Sequence, residues 1–480
     1  MLMRRIRPFL SALCLSLLCS IMPQAGEPLL DDEVNPQLTT DYLGVVVEPP
    51  HRENGIIPLW EDSSLTIRST YYGRSRYADN RDRQGSPNDQ NEIHVNAFGQ
   101  GLDFRSGYAW GVIGFDITGQ TNLGHGNGNS EVLYYDGIAN KDKSSVSLGQ
   151  AALKTRLGDD DFAFEARGGF TPISVGSLGT SGGLHSHAYR GFETKFKMRD
   201  FWIGYGWADQ FRNEWDDTFR EITSHWDQNR WYNHGGRISY VHSLGARYEF
   251  GPDKAGFVDL GVGEGRRYRR NLQGAVSVPV ELCNIGRLTL TGYGIAAKYR
   301  NGGLFANGKT GNETEYHVSG SAQLETGDWT FMTGLGHTSS PDSGEMQFRL
   351  SAWGNSDNRN FIQTWGQLDD FVWDGQNVVK TGAKYAIGKR VSLPGLSVGA
   401  SYLYGWNADN PGRNDKSNGW EVDYNIEYAV QEGRLKGLSM GVYAAHLRYA
   451  HNRFSGKQNR NDIKVILSYS KTLESFLRRR

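Results

Sequence analysis

Cysteine is nearly absent from this chain, with three in 480 residues. Cys14 and Cys19 fall in an N-terminal apolar run, which leaves Cys283 alone in the rest. One thiol builds neither a disulfide framework nor a cysteine zinc site. No second long apolar run follows the first, so a bundle of membrane-spanning helices is excluded. A membrane barrel is not, because its strands are apolar only at every second residue. An excess of one charge is also missing: 52 basic and 53 acidic residues give a formal net charge of −1. Such a chain has no bulk attraction for phosphate backbones, so nucleic acid is not an expected partner. Catalytic signatures are thin. There is no G-x-S-x-G elbow, and His185 and His187 lack further ligands at metal-binding spacing. No enzyme activity, cofactor or metal is expected. Gly303–Thr310 spells the phosphate-loop pattern, but Gly311-Asn312-Glu313-Thr314 and an alternating stretch follow it. A phosphate loop needs a helix there to supply aligned N–H donors.

What is present is glycine, 61 residues without a collagen period, and a 12 % aromatic content that excludes a disordered chain. Arg4, Arg5 and Arg7 precede an apolar stretch from Phe9 to Met22, and Pro23-Gln24-Ala25 offers a small residue for cleavage. The run is shorter than the ~20 residues that span a bilayer. Residues 1–25 therefore read as a secretory signal peptide and 26–58, acidic and aperiodic, as a poorly ordered segment. From 59 to 480 the dominant period is two. Trp420, Val422, Tyr424, Ile426 and Tyr428 alternate with Glu421, Asp423, Asn425, Glu427 and Ala429. Phe201, Ile203, Tyr205 and Trp207 alternate with Trp202, Gly204, Gly206 and Ala208. A strand sends alternate side chains to opposite faces, so one face is apolar and the other polar or bare.

Short Gly-, Asp- and Asn-bearing links at Ser106-Gly107, Gly158–Asp161, Arg199-Asp200, Gly251–Gly256, Asn284–Gly286, Thr326–Asp328, Gly388–Gly395 and Gly433–Gly437 alternate with longer polar ones. The longer links lie near 74–90, 121–143, 174–186, 212–236, 300–312, 339–375 and 408–418. The rhythm predicts an all-β fold, a transmembrane antiparallel β-barrel of about 18 strands of roughly ten to fourteen residues. Closure removes the sheet edges that lipid would leave unpaired.

Several turn elements resemble those of a known family. Tyr189-Arg190-Gly191 resembles the recurring Phe/Tyr-Arg-Gly element of the OprD family of outer-membrane porins. Leu102-Asp103-Phe104-Arg105-Ser106-Gly107-Tyr108 is similar to that family's Leu-Asp-Phe-x-Ser-Gly-Tyr turn. Tyr240–Tyr248, Leu393-Pro394-Gly395 and Gln431–Gly437 look like its chitoporin-like branch. The resemblance implies an eighteen-stranded barrel in the bacterial outer membrane, with short periplasmic turns, long extracellular loops and a narrowed pore. It also implies passive uptake of small polar solutes: basic amino acids, aromatic acids or, in the chitoporin-like branch, amino-sugar oligosaccharides. Expected partners are outer-membrane lipid and lipopolysaccharide, the solute, and the barrel-assembly machinery, with Phe476 ahead of Leu477-Arg478-Arg479-Arg480 as the candidate assembly signal. An outer-membrane barrel hydrolase and a closed structural or adhesive barrel would share the alternation.

Strand parity places Asp116, Lys154, Arg156, Glu165, Arg167, Arg247, Lys380, Lys384, Asp423 and Glu427 on polar faces; Arg190 of the Tyr-Arg-Gly element joins this set. Facing lipid, each charge would cost a few kcal/mol near mid-bilayer, so the set is expected to line the bore. There it forms a mixed-charge constriction, or the members pair and only stiffen the wall. Two aromatic loops, with Trp215, Trp226 and Trp231 in one and Trp365 and Trp373 in the other, sit among carboxylates and suit stacking on a sugar face. The competing reading is the aromatic girdle of a barrel. The run Arg266-Arg267-Tyr268-Arg269-Arg270 is either a contact for anionic headgroups or solutes, or a solvated strand end.

Overall fold

Period-two alternation gives each strand one face suited to lipid and one suited to water. Only a closed sheet satisfies both while pairing every backbone group. The computed structural model of the chain has that closure. It describes residues 58–79, 92–126, 133–136, 141–159, 161–180, 184–213, 216–223, 237–300, 314–340, 352–353, 356–357, 359, 361–409, 416–449 and 459–474. The expected signal peptide, most of the segment before the barrel, the phosphate-loop look-alike and Phe476 lie outside the described residues.

One antiparallel sheet holds eighteen long strands. The first nine are β1 (Ser64–Asp79), β2 (Glu92–Arg105), β3 (Ile113–Gly126), β4 (Ser145–Gly158), β5 (Phe162–Thr171), β6 (Ala188–Met198), β7 (Phe201–Arg212), β8 (Val241–Phe250) and β9 (Gly256–Gly265). The rest are β10 (Arg269–Glu281), β11 (Arg287–Tyr299), β12 (Thr314–Thr326), β13 (Trp329–Ser339), β14 (Asn377–Tyr385), β15 (Leu396–Asp409), β16 (Lys416–Ala429), β17 (Leu438–Tyr449) and β18 (Asn459–Glu474). Each pairs with its sequence neighbours, and β1 closes on β18 from Ser64↔Glu474 to Asp79↔Asn459. Both ends of the barrel chain therefore share one rim. A one-turn helix, Pro58–Glu61, sits there, with the Gly107 N–H donating to Leu59 O at 2.9 Å.

All eight short links predicted from sequence fall on that rim. Nine connections make the opposite rim, two more than expected. Residues 450–458 form one. The other is the three-residue link 266–268 between β9 and β10, so the basic run read as a strand end is a tight hairpin. Strands run from nine residues in β14 to sixteen in β1 and β18, a wider spread than expected.

Burial confirms the two faces. On β3, Ile113, Ile117 and Leu123 are exposed, whereas Asp116, Thr118, Gln120 and Asn122 are buried. One stretch inverts the rule. On β11 the inward row is Tyr293, Ile295, Ala297 and Tyr299, and the outward row contains Gly292, Gly294 and Ala296. The inward apolar residues are covered by Phe361, Ile362 and Val372, which the connection between β13 and β14 brings into the bore. The hydrophobic core of this molecule thus lies inside the barrel, between the wall and the connections that fold inward.

Candidate functional site

Two infolded connections define the site. In the connection between β5 and β6, residues 173–178 lie against β7–β9. The wall there is bare: Gly204, Gly245 and Gly261 stand opposite one another on three adjacent strands. A Cβ on Gly245 would lie 2.3 Å from Gly176 N, so a side chain at this position would displace the connection. Gly176 takes φ +56°, a left-handed backbone that suits glycine. The Ser177 N–H donates to Ser243 Oγ at 2.7 Å, and Gln273 Nε2 donates to Gly176 O at 3.0 Å. In the second connection, the described residues from Arg359 to Gln367 run along the interior from β9 to β18. Arg359 meets Asp259 at 2.9 Å, the Gln363 N–H donates to Ser319 Oγ, Lys380 Nζ donates to Trp365 O, and Gln367 Nε2 donates to Asp462. The two connections touch where the Arg359 N–H and Trp353 Nε1 both donate to Ser177 O, at 3.2 and 3.0 Å.

Buried carboxylates dock both connections. Glu193 accepts the Ser174 N–H at 2.9 Å and an Arg167 Nη2 bond at 2.7 Å. Glu421 accepts the N–H groups of Leu368 and Asp369 at 2.7 and 3.0 Å. A carboxylate accepting backbone N–H groups makes charge-assisted bonds stronger than neutral ones. Parity put Glu421 on the polar face, but nothing in the sequence marked it or Glu193 as an anchor, because their partners are backbone atoms of distant loops.

The charged residues singled out from sequence form a network on β3–β6. Asp116 pairs with Lys154 at 2.7 Å, Glu165 with Arg156 at 4.0 Å and with Lys197 at 2.9 Å, and Glu193 bridges Arg167 and Lys195. Arg247 lies 3.0 Å from Glu249 and 3.9 Å from Asp259, with its guanidinium 4.1 Å from the Phe257 ring centroid. Across the bore, Lys384 pairs with Glu427 at 2.7 Å, and Asp423 accepts a bond from Ser401 Oγ. Arg190 stands apart. A bulge between Arg190 and Gly191 shifts the register, and its side chain, 45 % exposed, pairs with Asp209 on the strand face opposite buried Tyr189.

Trp365 and Trp373 are half-buried in the inner connection. Trp365 packs against the Phe361 cluster, and Trp373 Nε1 donates to Asp369 and to Tyr449 Oη. Trp215, Trp226 and Trp231 lie outside the described residues.

His185, in the first connection, has Nε2 3.0 Å from Thr121 O. Burial, with Arg68 and Arg212 nearby, pushes its pKa down to about 4. A released connection would titrate near pH 6.5. Docking is therefore at full strength above pH 6.5, weakens as the pH falls through that window, and has lost this contribution below about pH 4. Single-channel recordings should grow noisier on acidification over this range, and His185→Gln should flatten the response. The same acid response in both proteins would remove His185 from the account.

Three comparisons bear on identity. Residues 286–473 match the model of the outer membrane porin OprD family. The chitoporin of Escherichia coli strain K12 is 26 % identical over 441 residues, covering 84 % of this chain and 88 % of that protein. The structure of OpdK from Pseudomonas aeruginosa, determined with vanillate, superposes with a TM-score of 0.69 at 18 % identity, covering 86 % of this chain and 100 % of the other. OccAB1 from Acinetobacter baumannii gives 0.73 at 16 % identity, covering 89 % and 99 %. With its closed eighteen-stranded barrel, apolar exterior and infolded connections, the chain is similar to the outer membrane porins of the OprD family over residues 286–473, to a chitoporin over most of its length, and to solved porin barrels in fold.

Proposed function

We propose that this porin gives passive, selective passage to small uncharged or weakly charged polyhydroxylated solutes, amino-sugar oligosaccharides such as chitooligosaccharides above all. The observation that carries the reading is the pairing of interior charges. Asp116 with Lys154, Glu193 with Arg167, and Glu427 with Lys384 sit within 2.7 Å of one another. Paired charges present local dipoles and hydrogen-bonding groups instead of a strong field of one sign. Such a wall suits a chain of hydroxyls and amides better than a free ion. The likeness to chitoporin supports the same class. The two connections meeting at Ser177 form the narrowing. The paired residues on β3–β6 and β14–β16 line the path, and Trp365 supplies an aromatic surface for a sugar ring. Solute moves down its gradient without a covalent step.

Planar-bilayer recordings test this. N-acetylglucosamine oligomers should interrupt single-channel current in a length-dependent way, and arginine and vanillate should do so less. If the oligomers leave the current untouched while arginine or vanillate interrupts it, the oligosaccharide assignment is wrong.

A further inference from the structure

The tight β9–β10 hairpin and the adjoining end of β11 carry a cluster of cations that the pore does not use. We propose that this cluster is a binding site for a diphosphorylated acyl lipid of the outer leaflet, the chemistry of a lipopolysaccharide anchor.

Strand parity sets the height of the cluster relative to the membrane. The outward row of β10 is apolar from Val280 through Val278, Val276 and Gly274 to Leu272. Those eight steps span ~27 Å along the strand, or roughly 20 Å along the membrane normal at barrel tilt, close to the height of a barrel's apolar band. On the neighbouring strand, Val262 pairs with Leu272, and the two are 47 % and 64 % exposed. The next outward pair up is Glu264↔Arg270, and Arg270 in turn pairs with Lys298 on β11. The character of the outward surface thus changes within one step, from aliphatic to charged, at the height where hydrocarbon gives way to headgroups. This is the rim opposite the chain ends.

Arg266 and Arg267 at the turn, Arg270, Lys298 and Arg300 gather at that height, and Glu264 is the single carboxylate among the described residues that pairs with them. Glu264 takes Arg270 at 2.6 Å and Arg300 at 3.2 Å. No carboxylate among the described residues lies within ion-pair distance of Arg266, Arg267 or Lys298. The Arg266 N–H donates to Tyr240 O, and its guanidinium lies 5.6 Å from the Tyr240 ring centroid, on the barrel's outer side. Like charges repel over a Debye length, ~8 Å in physiological salt, and an anion between them relieves that repulsion. One phosphate would leave part of the cluster unbalanced, and two match it. Guanidinium groups present the forked donors that phosphate oxygens accept. The aliphatic surface of Val262, Leu272 and Leu260 directly below distinguishes a lipid from a free anion, because acyl chains have somewhere to lie. The inference depends on the membrane placement of the barrel and not on which solute passes through it.

The test uses the full-length protein in neutral-detergent micelles, titrated with diphosphoryl lipid A. Parallel arms use monophosphoryl lipid A, a phosphate-free acyl glycolipid and inorganic phosphate. The triple variant R266Q/R267Q/K298Q removes the cations that have no acidic partner. The control K389Q/R434Q/K436Q removes the same charge from turns on the other rim. Binding to the triple variant should weaken on the order of 100-fold, with the control and single-channel conductance unchanged. The monophosphoryl lipid should bind at intermediate strength and the phosphate-free lipid should not bind. Unchanged binding by the triple variant, an equal loss in the control, or tight binding of the phosphate-free lipid would overturn the proposal. So would inorganic phosphate binding as tightly as the lipid. If the triple variant forms no channels, Arg267→Gln alone decides, with a loss of roughly 5-fold expected.

Discussion

Glu421→Ala is expected to widen the channel. The Glu421 carboxylate is fully buried and is the acceptor for the Leu368 and Asp369 N–H groups. Gly366 lies so close that a Cβ there would meet Glu421 Oε2 at 2.6 Å. Removing the carboxylate leaves two buried donors without an acceptor, at about 1–3 kcal/mol each. Flanking contacts remain, from Lys380 to Trp365 O and from Gln363 to Ser319. The barrel should therefore still assemble while the turn at 366–369 leaves the wall. Open-channel conductance should change on the order of twofold as the constriction loses its shape, and block by oligosaccharide should disappear. Glu427→Ala is the control, since it breaks the pair with Lys384 on the same strand without touching the connection. It should alter the preference between small cations and anions and weaken oligosaccharide block far less than Glu421→Ala does. Wild-type conductance and block in Glu421→Ala would show that this carboxylate does not hold the narrowing.

Leu153→Arg should impair assembly, and Arg156→Gln should not. Leu153 lies on β4 opposite Phe115 and Gly168, and is 69 % exposed on the outer face. Arginine on the lipid side near the bilayer midplane costs about 2–4 kcal/mol. The urea midpoint of the refolded protein should fall accordingly, or the heat-modifiable folded band on gels should be lost. Arg156, three residues on, faces the interior 4.0 Å from Glu165, which keeps Lys197 at 2.9 Å when the guanidinium is removed. That variant should fold like the parent and differ only in ion preference. Equal stability of the two variants would contradict the assignment of faces.

The period-two rhythm was enough to read the barrel, and in most strands it also separated the two faces. The alternation of Ile113, Ile117 and Leu123 with Asp116, Thr118 and Gln120 is visible without coordinates, because lipid and water impose opposite demands at successive residues. Turn chemistry located the eight short links for a similar reason: tight turns restrict backbone angles, and few residues tolerate them. The hairpin at 266–268 was not legible. Its sequence is arginine and tyrosine instead of glycine or asparagine, and Arg267 adopts φ +60° without a turn residue to announce it. The inverted stretch of β11 was equally opaque, since what covers Tyr293 and Ile295 comes from a connection more than sixty residues later in the chain.

From its own residues the chain determines a membrane barrel, its approximate strand number and the interior placement of charges such as Lys154 and Glu427, because these follow from neighbours two residues apart. The anchors Glu193 and Glu421, the glycine seat at Gly204, Gly245 and Gly261, and the outward position of Arg190 were decided by the tertiary structure alone. Each depends on which distant backbone or bulge comes against the strand, and one-dimensional periodicity carries no information about such contacts.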